Sequence, residues 1–145
     1  TESKLLDRYI SRGSYLPIFN IQSAFAHHPT GDFSDLKKAT TEWRRINKYL
    51  LKDFYTLTDW HHRFNEKEFT AFCYFDPETE KGIILAFRQD KCEKENLTVK
   101  LSFLEDGDYV LTDEDTKQIY NLNGCELSLN FKNQRSDKLI WIEKK

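Results

Sequence analysis

The stretch that decides the fold is Leu97-Thr98-Val99-Lys100-Leu101-Ser102-Phe103, in which apolar and polar side chains alternate strictly. Because successive side chains of a β-strand point to opposite faces, this period of two predicts a strand with one face buried and the other in water. The same pattern, or a short apolar run, recurs through the second half of the chain. The predicted strands are 69–75, 83–87, 97–103, 109–111, 118–122, 127–131 and 139–142.

Turn sequences separate these strands. Asp106-Gly107 and Asn123-Gly124 favour tight turns, and Asp76 to Gly82 places a proline and a glycine between two apolar runs. Short strands that recur at spacings of roughly 8 to 15 residues are typical of a sandwich or a barrel. We favour the sandwich, so the predicted fold class is mainly β, with a C-terminal antiparallel β-sandwich.

Upstream of Trp60 the period changes to that of a helix. Between Phe33 and Leu51, apolar residues recur at spacings of three and four, which places them on one stripe of an amphipathic helix. These residues are Leu36, Ala39, Trp43, Ile46 and Leu50. Asp32 or Ser34 can serve as the N-cap. One such helix cannot bury its stripe alone, so we expect a seam of Trp43, Ile46 and Leu50 against a neighbouring layer.

The N-terminal residues are less regular. Leu5, Leu6, Tyr9 and Ile10 predict a short helix that ends at Arg12-Gly13, and Tyr15 to Ile21 is either a loop or a short buried strand because a proline interrupts it. We therefore predict two parts, a helical and loop segment over 1–60 and a sandwich domain over 61–145. The polar start without a methionine indicates an internal fragment or a processed chain.

Composition excludes several classes of function. The net charge is −2 and both signs are mixed along the chain, so nucleic acid is not an expected partner. No apolar run approaches the length of a membrane span. Cys73, Cys92 and Cys125 are odd in number and far apart, which predicts reduced thiols, with Cys73 buried in a strand, and favours a cytoplasmic location.

No catalytic or cofactor motif is present in the sequence. His27-His28 and His61-His62 are adjacent pairs, and adjacent side chains diverge, so no metal site is predicted. Phosphate-binding glycine loops are absent, and no cofactor is expected. Most carboxylates lie in turn sequences, and Asp113-Glu114-Asp115 is predicted to be an exposed turn rather than a calcium site.

Aromatic side chains are the remaining candidates for ligand contact. Trp60, Trp141, Tyr109 and Tyr120 would form a sugar-stacking platform if they were exposed. Because they lie in or just before alternating strands, packing in the core or at a domain interface is the favoured interpretation.

Several segments, in order, resemble glycoside hydrolase family 36 α-galactosidases (melibiases). Glu42 to Ile46, followed by Asp53-Phe54-Tyr55-Thr56-Leu57-Thr58, resembles a last barrel helix that runs into Asp-Phe-Tyr-Pro-Leu-Thr, with Thr56 in place of the proline. Gly82 to Arg88 is similar to that family's Gly-x-x-x-Ala-Phe-Arg strand. Further similar segments are Asp7-Arg8-Tyr9 with Arg12, Tyr109 to Asp113, Asn123-Gly124 and Leu127 to Leu129.

One region departs from the family. Phe25-Ala26-His27-His28-Pro29 stands where relatives have Gly-Trp-Asp, so no substrate contact is carried over to this chain.

The resemblance implies a parent enzyme that hydrolyses α-galactosides with retention, on a (β/α)8 barrel whose catalytic aspartates precede residue 1. A barrel takes about 250 residues, so 145 residues can hold only its last helix. The sandwich would then be a structural domain that covers the barrel and contributes to homo-oligomer contacts, and this chain alone would be inactive. The alternative is a non-catalytic module that binds oligosaccharide through Trp60 or Trp141.

Overall fold

A computed structural model of the protein describes residues 7–19 and 33–145. Within these residues the chain forms two helices and eight strands. The helices are α1 (Arg8–Gly13) and α2 (Ser34–Ile46). The strands are β1 (Asp53–Thr56), β2 (Phe69–Asp76), β3 (Lys81–Arg88), β4 (Asn96–Lys100), β5 (Tyr109–Asp113), β6 (Ile119–Tyr120), β7 (Glu126–Asn130) and β8 (Ser136–Lys144).

The strands form two antiparallel sheets, which confirms the predicted mainly β sandwich. Six of the described strands make one sheet in the order β1-β2-β3-β8-β5-β6, and β4 pairs with β7 in a separate two-stranded sheet. The two sheets face each other across an apolar core, in which Val99 and Leu127 of the small sheet pack with Ile84 and Ile140 of the large one. The alternation that defined 97–103 thus turns one side of β4 toward this core.

The central strands of the large sheet are buried on both faces. Cys73 and Ile84 point into the core between the sheets, whereas Ile83, Leu85 and Leu139 point to the opposite face. Strands covered on both sides read as continuous apolar runs rather than as alternating sequences. This arrangement explains why 69–75 and 83–87 lack a clear period of two.

The second face of the large sheet is covered by α2 and the turns that follow it. Ile46 and Leu50 are buried against this face and Trp43 is partly buried there, which confirms the predicted seam. The helix is shorter than predicted, because it ends at Ile46 and residues 47–50 continue as turns with Tyr49 N–H bonded to the Ile46 carbonyl. Phe33 occupies the N-cap position in place of Ser34, and Asp32 lies outside the described residues.

The first strand was not predicted. Asp53–Thr56 pairs with β2, with Phe54 opposite Tyr74. The large sheet therefore includes residues that precede residue 60 in the chain. The four residues of β1 are too few to show a period, and three of them are exposed. Two predicted strands are also shorter, since β4 ends at Lys100 and β6 has only two residues. The division of the chain into 1–60 and 61–145 stays a prediction.

The N-terminal helix is confirmed where the structure describes it. It ends at Gly13, and the carboxylate of Asp7 caps its start by accepting a hydrogen bond from Ile10 N–H at 2.9 Å. Residues 14–19 contain no strand, which favours the loop alternative. Leu5, Leu6, Asn20 and Ile21 lie outside the described residues.

Candidate functional site

A surface groove with a volume of about 560 Å³ lies where the segment between β1 and β2 passes beside β4. The start of this segment is bonded to β2, because Leu57 N–H donates to the Ala71 carbonyl at 2.9 Å and Thr58 Oγ1 accepts from Ala71 N–H at 3.1 Å. The groove is lined by residues 57–61 and 96–98, together with Asn65, Glu68, Phe69 and Lys94.

Trp60 is the exposed aromatic side chain of this groove, with 86% of its surface open to solvent. Of the four aromatic residues predicted to pack in the core or at a domain interface, Trp60 is the one that does not pack in the core of the described residues, and its packing at a domain interface stays a prediction. Its indole ring offers a flat apolar surface with one polar N–H group, which suits contact with a ligand or with another protein layer.

The other three aromatic candidates are engaged in the fold. Tyr120 is buried and its hydroxyl donates to Asp113 at 3.3 Å. Trp141 is partly buried, and its Nε1–H donates to Glu114 at 2.6 Å. Tyr109 is partly buried against the core between the sheets. These positions agree with the predicted packing role and leave no free platform at Trp141.

His61 is held at the edge of the groove by a short chain of hydrogen bonds. Its Nε2 lies 3.0 Å from Thr70 Oγ1, and Gln89 Nε2 donates to the same hydroxyl at 3.0 Å. His61 Nδ1 lies 3.3 Å from the His62 carbonyl, so the tautomer with its proton on Nδ1 would donate there and accept from the Thr70 hydroxyl at Nε2. Gln89 Oε1 is buried with no hydrogen-bond partner among the described residues.

The polar side chains of the groove include both donors and acceptors. Lys94 Nζ pairs with Glu68 at 3.4 Å. Asn96 Oδ1 accepts from Asn130 at 2.8 Å and Asn65 Oδ1 accepts from Lys67 N–H at 3.1 Å, so both asparagines keep their amide N–H groups unused by the described residues. Within the same part of the chain the carboxylate of Asp59 has no hydrogen bond or ion pair, and its residue is exposed.

A second polar cluster is centred on a buried arginine. Arg12 of α1 is fully buried and binds Glu42 of α2 through two hydrogen bonds of 2.9 and 2.8 Å. Its Nη1 donates to Asp115 and to Asp137, each at 2.7 Å, and the Tyr15 hydroxyl donates to Glu42 at 3.0 Å. We call these five residues the Arg12 cluster. It joins both helices to the large sheet.

Electrostatics within the Arg12 cluster follow from burial and pairing. Burial acts to lower the pKa of Arg12, but the hydrogen bonds to Glu42 and Asp115 outweigh it and raise that pKa above its ordinary value. Burial raises the pKa of Asp137, although Arg12 opposes the effect. From the sequence, Arg12 was named only as the end of a predicted helix and within the family resemblance. Its partners are 30, 103 and 125 positions away, so no local pattern connects them.

The acidic turn after β5 corrects another prediction. Residues 114–116 do form a turn, but Asp113 is buried and Glu114 is partly buried, so the prediction of exposed side chains is wrong for both. Burial acts to raise the pKa of Asp113, and the N–H groups of Thr116 and Asp115 outweigh it and lower the pKa. Burial also acts to raise the pKa of Glu114, but the hydrogen bonds from Arg45 and Trp141 outweigh burial and lower that pKa. These carboxylates hold the fold together.

The cysteines, the metal-ligating side chains and the helices bear on the kinds of site and protein that the sequence did not favour. Cys73 is buried in β2, as predicted, and burial raises the pKa of its thiol; Cys92 is buried and Cys125 exposed, and all three are free. Within residues 7–19 and 33–145, no group of three or more His, Cys, Asp or Glu side chains is placed to hold a metal ion. His27 and His28 lie outside the described residues. None of the helices described is long and apolar enough to cross a membrane.

Comparison with known proteins gives a fold relationship. No protein-family model matches the chain, and no curated protein matches it. Among solved structures, the chain is similar to the galactosidase domain of alpha-galactosidase-sucrose kinase, AgaSK, with a TM-score of 0.57 and 11% sequence identity. The match covers 83% of this chain and 17% of that chain, so the 145 residues span a small part of the solved protein. The chain therefore shares its fold with part of a galactosidase domain.

Proposed function

We propose that this chain is a structural accessory region of a glycoside hydrolase related to the α-galactosidases of family 36, and that it forms the C-terminal end of that enzyme. The observation that carries the proposal is the fold similarity to a galactosidase domain, which takes in 83% of this chain and only 17% of the larger protein. The segments from Glu42 to Thr58 and from Gly82 to Arg88, which resemble that family in order and spacing, support the same assignment.

In this proposal α2 is the last helix of a (β/α)8 barrel and the sandwich covers the barrel's side. An apolar edge supports a covering layer beyond this chain, since Leu51 is 77% exposed and Phe54 is 53% exposed, with Phe54 packed against Phe72 and Tyr74. Contacts between copies of the enzyme would use the same kind of surface.

The catalytic carboxylates would lie outside these 145 residues. A glycosidase needs two accessible carboxyl groups that face a sugar across a gap of defined width. Three carboxylates, Glu42, Asp115 and Asp137, are gathered around one buried side chain, because all three bind Arg12. Their arrangement supports a role in stability and not in hydrolysis.

The coding sequence upstream of the Thr1 codon tests this proposal. We expect a (β/α)8 barrel with two aspartates at the ends of strands, and a full-length product that turns over a chromogenic α-galactoside while the 145-residue chain does not. An upstream sequence without such a barrel would overturn the proposal, and so would turnover by the 145-residue chain itself.

A second candidate function is non-catalytic carbohydrate binding, and the exposure of Trp60 favours it. It does not exclude the first, because an accessory domain can hold substrate near a catalytic barrel. Titration calorimetry of the chain with oligosaccharides tests it: saturable heat supports binding, and no heat contradicts it.

A further inference from the structure

Resting on the carbohydrate-binding candidate, we propose that the groove beside Trp60 is a binding site for a neutral oligosaccharide. One sugar ring stacks on the Trp60 indole, and its hydroxyl groups bind Asp59, Asn65 and Asn96.

The stacking surface is the first part of the argument. The chain has three tryptophans, and two of them are used by the fold: Trp43 donates its Nε1–H to the Leu16 carbonyl at 2.9 Å, and Trp141 is bonded to Glu114. Trp60 is 86% exposed and has no such contact among the described residues. A flat apolar ring open to water matches the C–H face of a pyranose, which is apolar in the same way.

The polar groups around the ring fit hydroxyl recognition. A sugar hydroxyl both donates and accepts, so a site for it needs an acceptor and a donor side by side. Asp59 supplies a carboxylate that the described residues leave unused, and Asn65 and Asn96 supply amide N–H groups. All three line the groove together with Trp60.

Charge in the groove disfavours an anionic ligand and is compatible with a neutral one. Lys94 is neutralised by Glu68 at 3.4 Å, which leaves the carboxylate of Asp59 as the unpaired charge of the lining. An anionic ligand would be repelled by it, and a polyanion would lack the basic side chains that neutralise phosphate. A neutral polyol meets neither obstacle.

The site is also organised before a ligand arrives. The hydrogen bonds from Asn130 to Asn96 and from Lys67 N–H to Asn65 fix both amides, and the bond between His61 and Thr70 fixes the segment next to Trp60. Side chains that are already held in place lose less entropy on binding. Because the ring of Trp60 faces solvent, the groove is open and accommodates units within a longer chain.

Titration calorimetry with two variants tests the site. The ligands are raffinose, as an α-galactoside, and cellotetraose, as a β-linked neutral chain. Trp60→Ala removes the stacking ring, and Phe64→Ala is the matched control, because Phe64 is 72% exposed in the same segment but does not line the groove. Asp59→Ala removes the unpaired carboxylate and leaves the ring intact.

We expect saturable heat with at least one ligand for the native chain and for Phe64→Ala. Trp60→Ala should weaken the affinity by about tenfold or more, since an aromatic anchor contributes most of the binding energy at such sites. Asp59→Ala should weaken it by a smaller factor. Unchanged thermal unfolding of each variant would show that the loss is one of binding and not of folding.

The contradicting outcomes distinguish failure of the groove site from failure of carbohydrate binding as a whole. Equal affinity of native chain and Trp60→Ala would overturn the groove site while leaving carbohydrate binding in place. No heat with either sugar would overturn both, without touching the structural accessory function, which depends on the upstream sequence. Saturable binding of adenosine in place of the sugars would assign the ring to a nucleobase and overturn the inference.

Discussion

The Arg12 cluster and the Trp60 groove are both polar regions, but their side chains are used in opposite ways. In the cluster, the Arg12 guanidinium is fully buried and shared among three carboxylates from three other segments of the chain. In the groove, Trp60 is 86% exposed and Asp59, Asn65 and Asn96 keep groups that no described residue binds. Among the described residues, the charged groups of the first region bind one another, whereas the second region keeps groups without a partner.

This difference indicates which region holds the fold and which is open to a ligand. Breaking a buried ion pair leaves a charge without compensation, so its members have large effects on stability. Exposed side chains with few contacts contribute little to stability and stay available for recognition. Perturbing each region separately should therefore change different properties of the protein.

Arg12→Met should give the largest loss of stability. It leaves Glu42, Asp115 and Asp137 close together without their shared cation, and we expect the free energy of unfolding to fall by about 3–5 kcal/mol. Arg8→Met is the matched control, because Arg8 binds the same Asp115 with a half-exposed side chain and should cost less than about 1 kcal/mol. Urea denaturation measures both, and equal losses would contradict a special role for the buried arginine.

Ile46→Ala should come next. Ile46 is fully buried between α2 and the large sheet, so we expect a loss of about 3 kcal/mol from the cavity that forms. Trp43→Ala should cost about 2 kcal/mol, because its ring is only partly buried. Leu51→Ala, at a position 77% exposed, should stay within about 0.5 kcal/mol in the same denaturation experiment.

Acid should lower the free energy of unfolding through protonation of Glu114. Its pKa is lowered in the folded state, so its contribution is fully present above the unfolded pKa of about 4.3 and is lost as the pH falls through the lower folded pKa. Glu114→Gln should flatten the dependence of unfolding free energy on pH below about 5. An unchanged slope between pH 3 and 5 would count against the bonds to Arg45 and Trp141.

Asp137 should have the opposite effect on the pH dependence of stability. Because burial raises its folded pKa, its contribution to stability is fully present below the unfolded pKa of about 3.9 and is lost as the pH rises through the folded value. Asp137→Asn keeps an acceptor for Arg12 and should remove this loss. The free energies of unfolding of the variant and the native chain should therefore approach each other as the pH falls. A difference that stays constant with pH would contradict the assignment.

Trp60→Ala should have the smallest effect on stability. The ring is open to water and makes no described contact, so the free energy of unfolding should change by about 0.5 kcal/mol or less. A loss of 2 kcal/mol or so, as for a partly buried side chain, would place Trp60 in the packing of the sandwich and contradict its assignment to the groove.

Local sequence patterns predicted the parts of this molecule that local physics determines. The alternation in 97–103 and the apolar runs at 69–75 and 83–87 identified strands because side-chain period and burial are encoded within a few residues. The stripe that contains Ile46 identified α2 for the same reason. Asp53–Thr56 was missed because four residues carry no period, and its pairing with β2 is decided by the neighbouring strand.

The two polar regions were harder to predict, for different reasons. The Arg12 cluster joins residues more than a hundred positions apart, such as Arg12 and Asp115, and such contacts exist only after folding. Trp60 was among the named candidates for sugar stacking, but a tryptophan beside a strand usually packs inward, and packing was favoured. Its exposure depends on the path of the segment between β1 and β2, which local sequence does not determine.

Thermal unfolding with and without oligosaccharide tests the contrast between the two regions most directly. Native chain and Trp60→Ala should unfold at the same temperature without ligand. Saturating raffinose or cellotetraose should then raise the midpoint of the native chain but not that of the variant, because a ligand stabilises only the folded state that binds it. A lower midpoint for Trp60→Ala without ligand, or an equal rise for both proteins, would contradict the account.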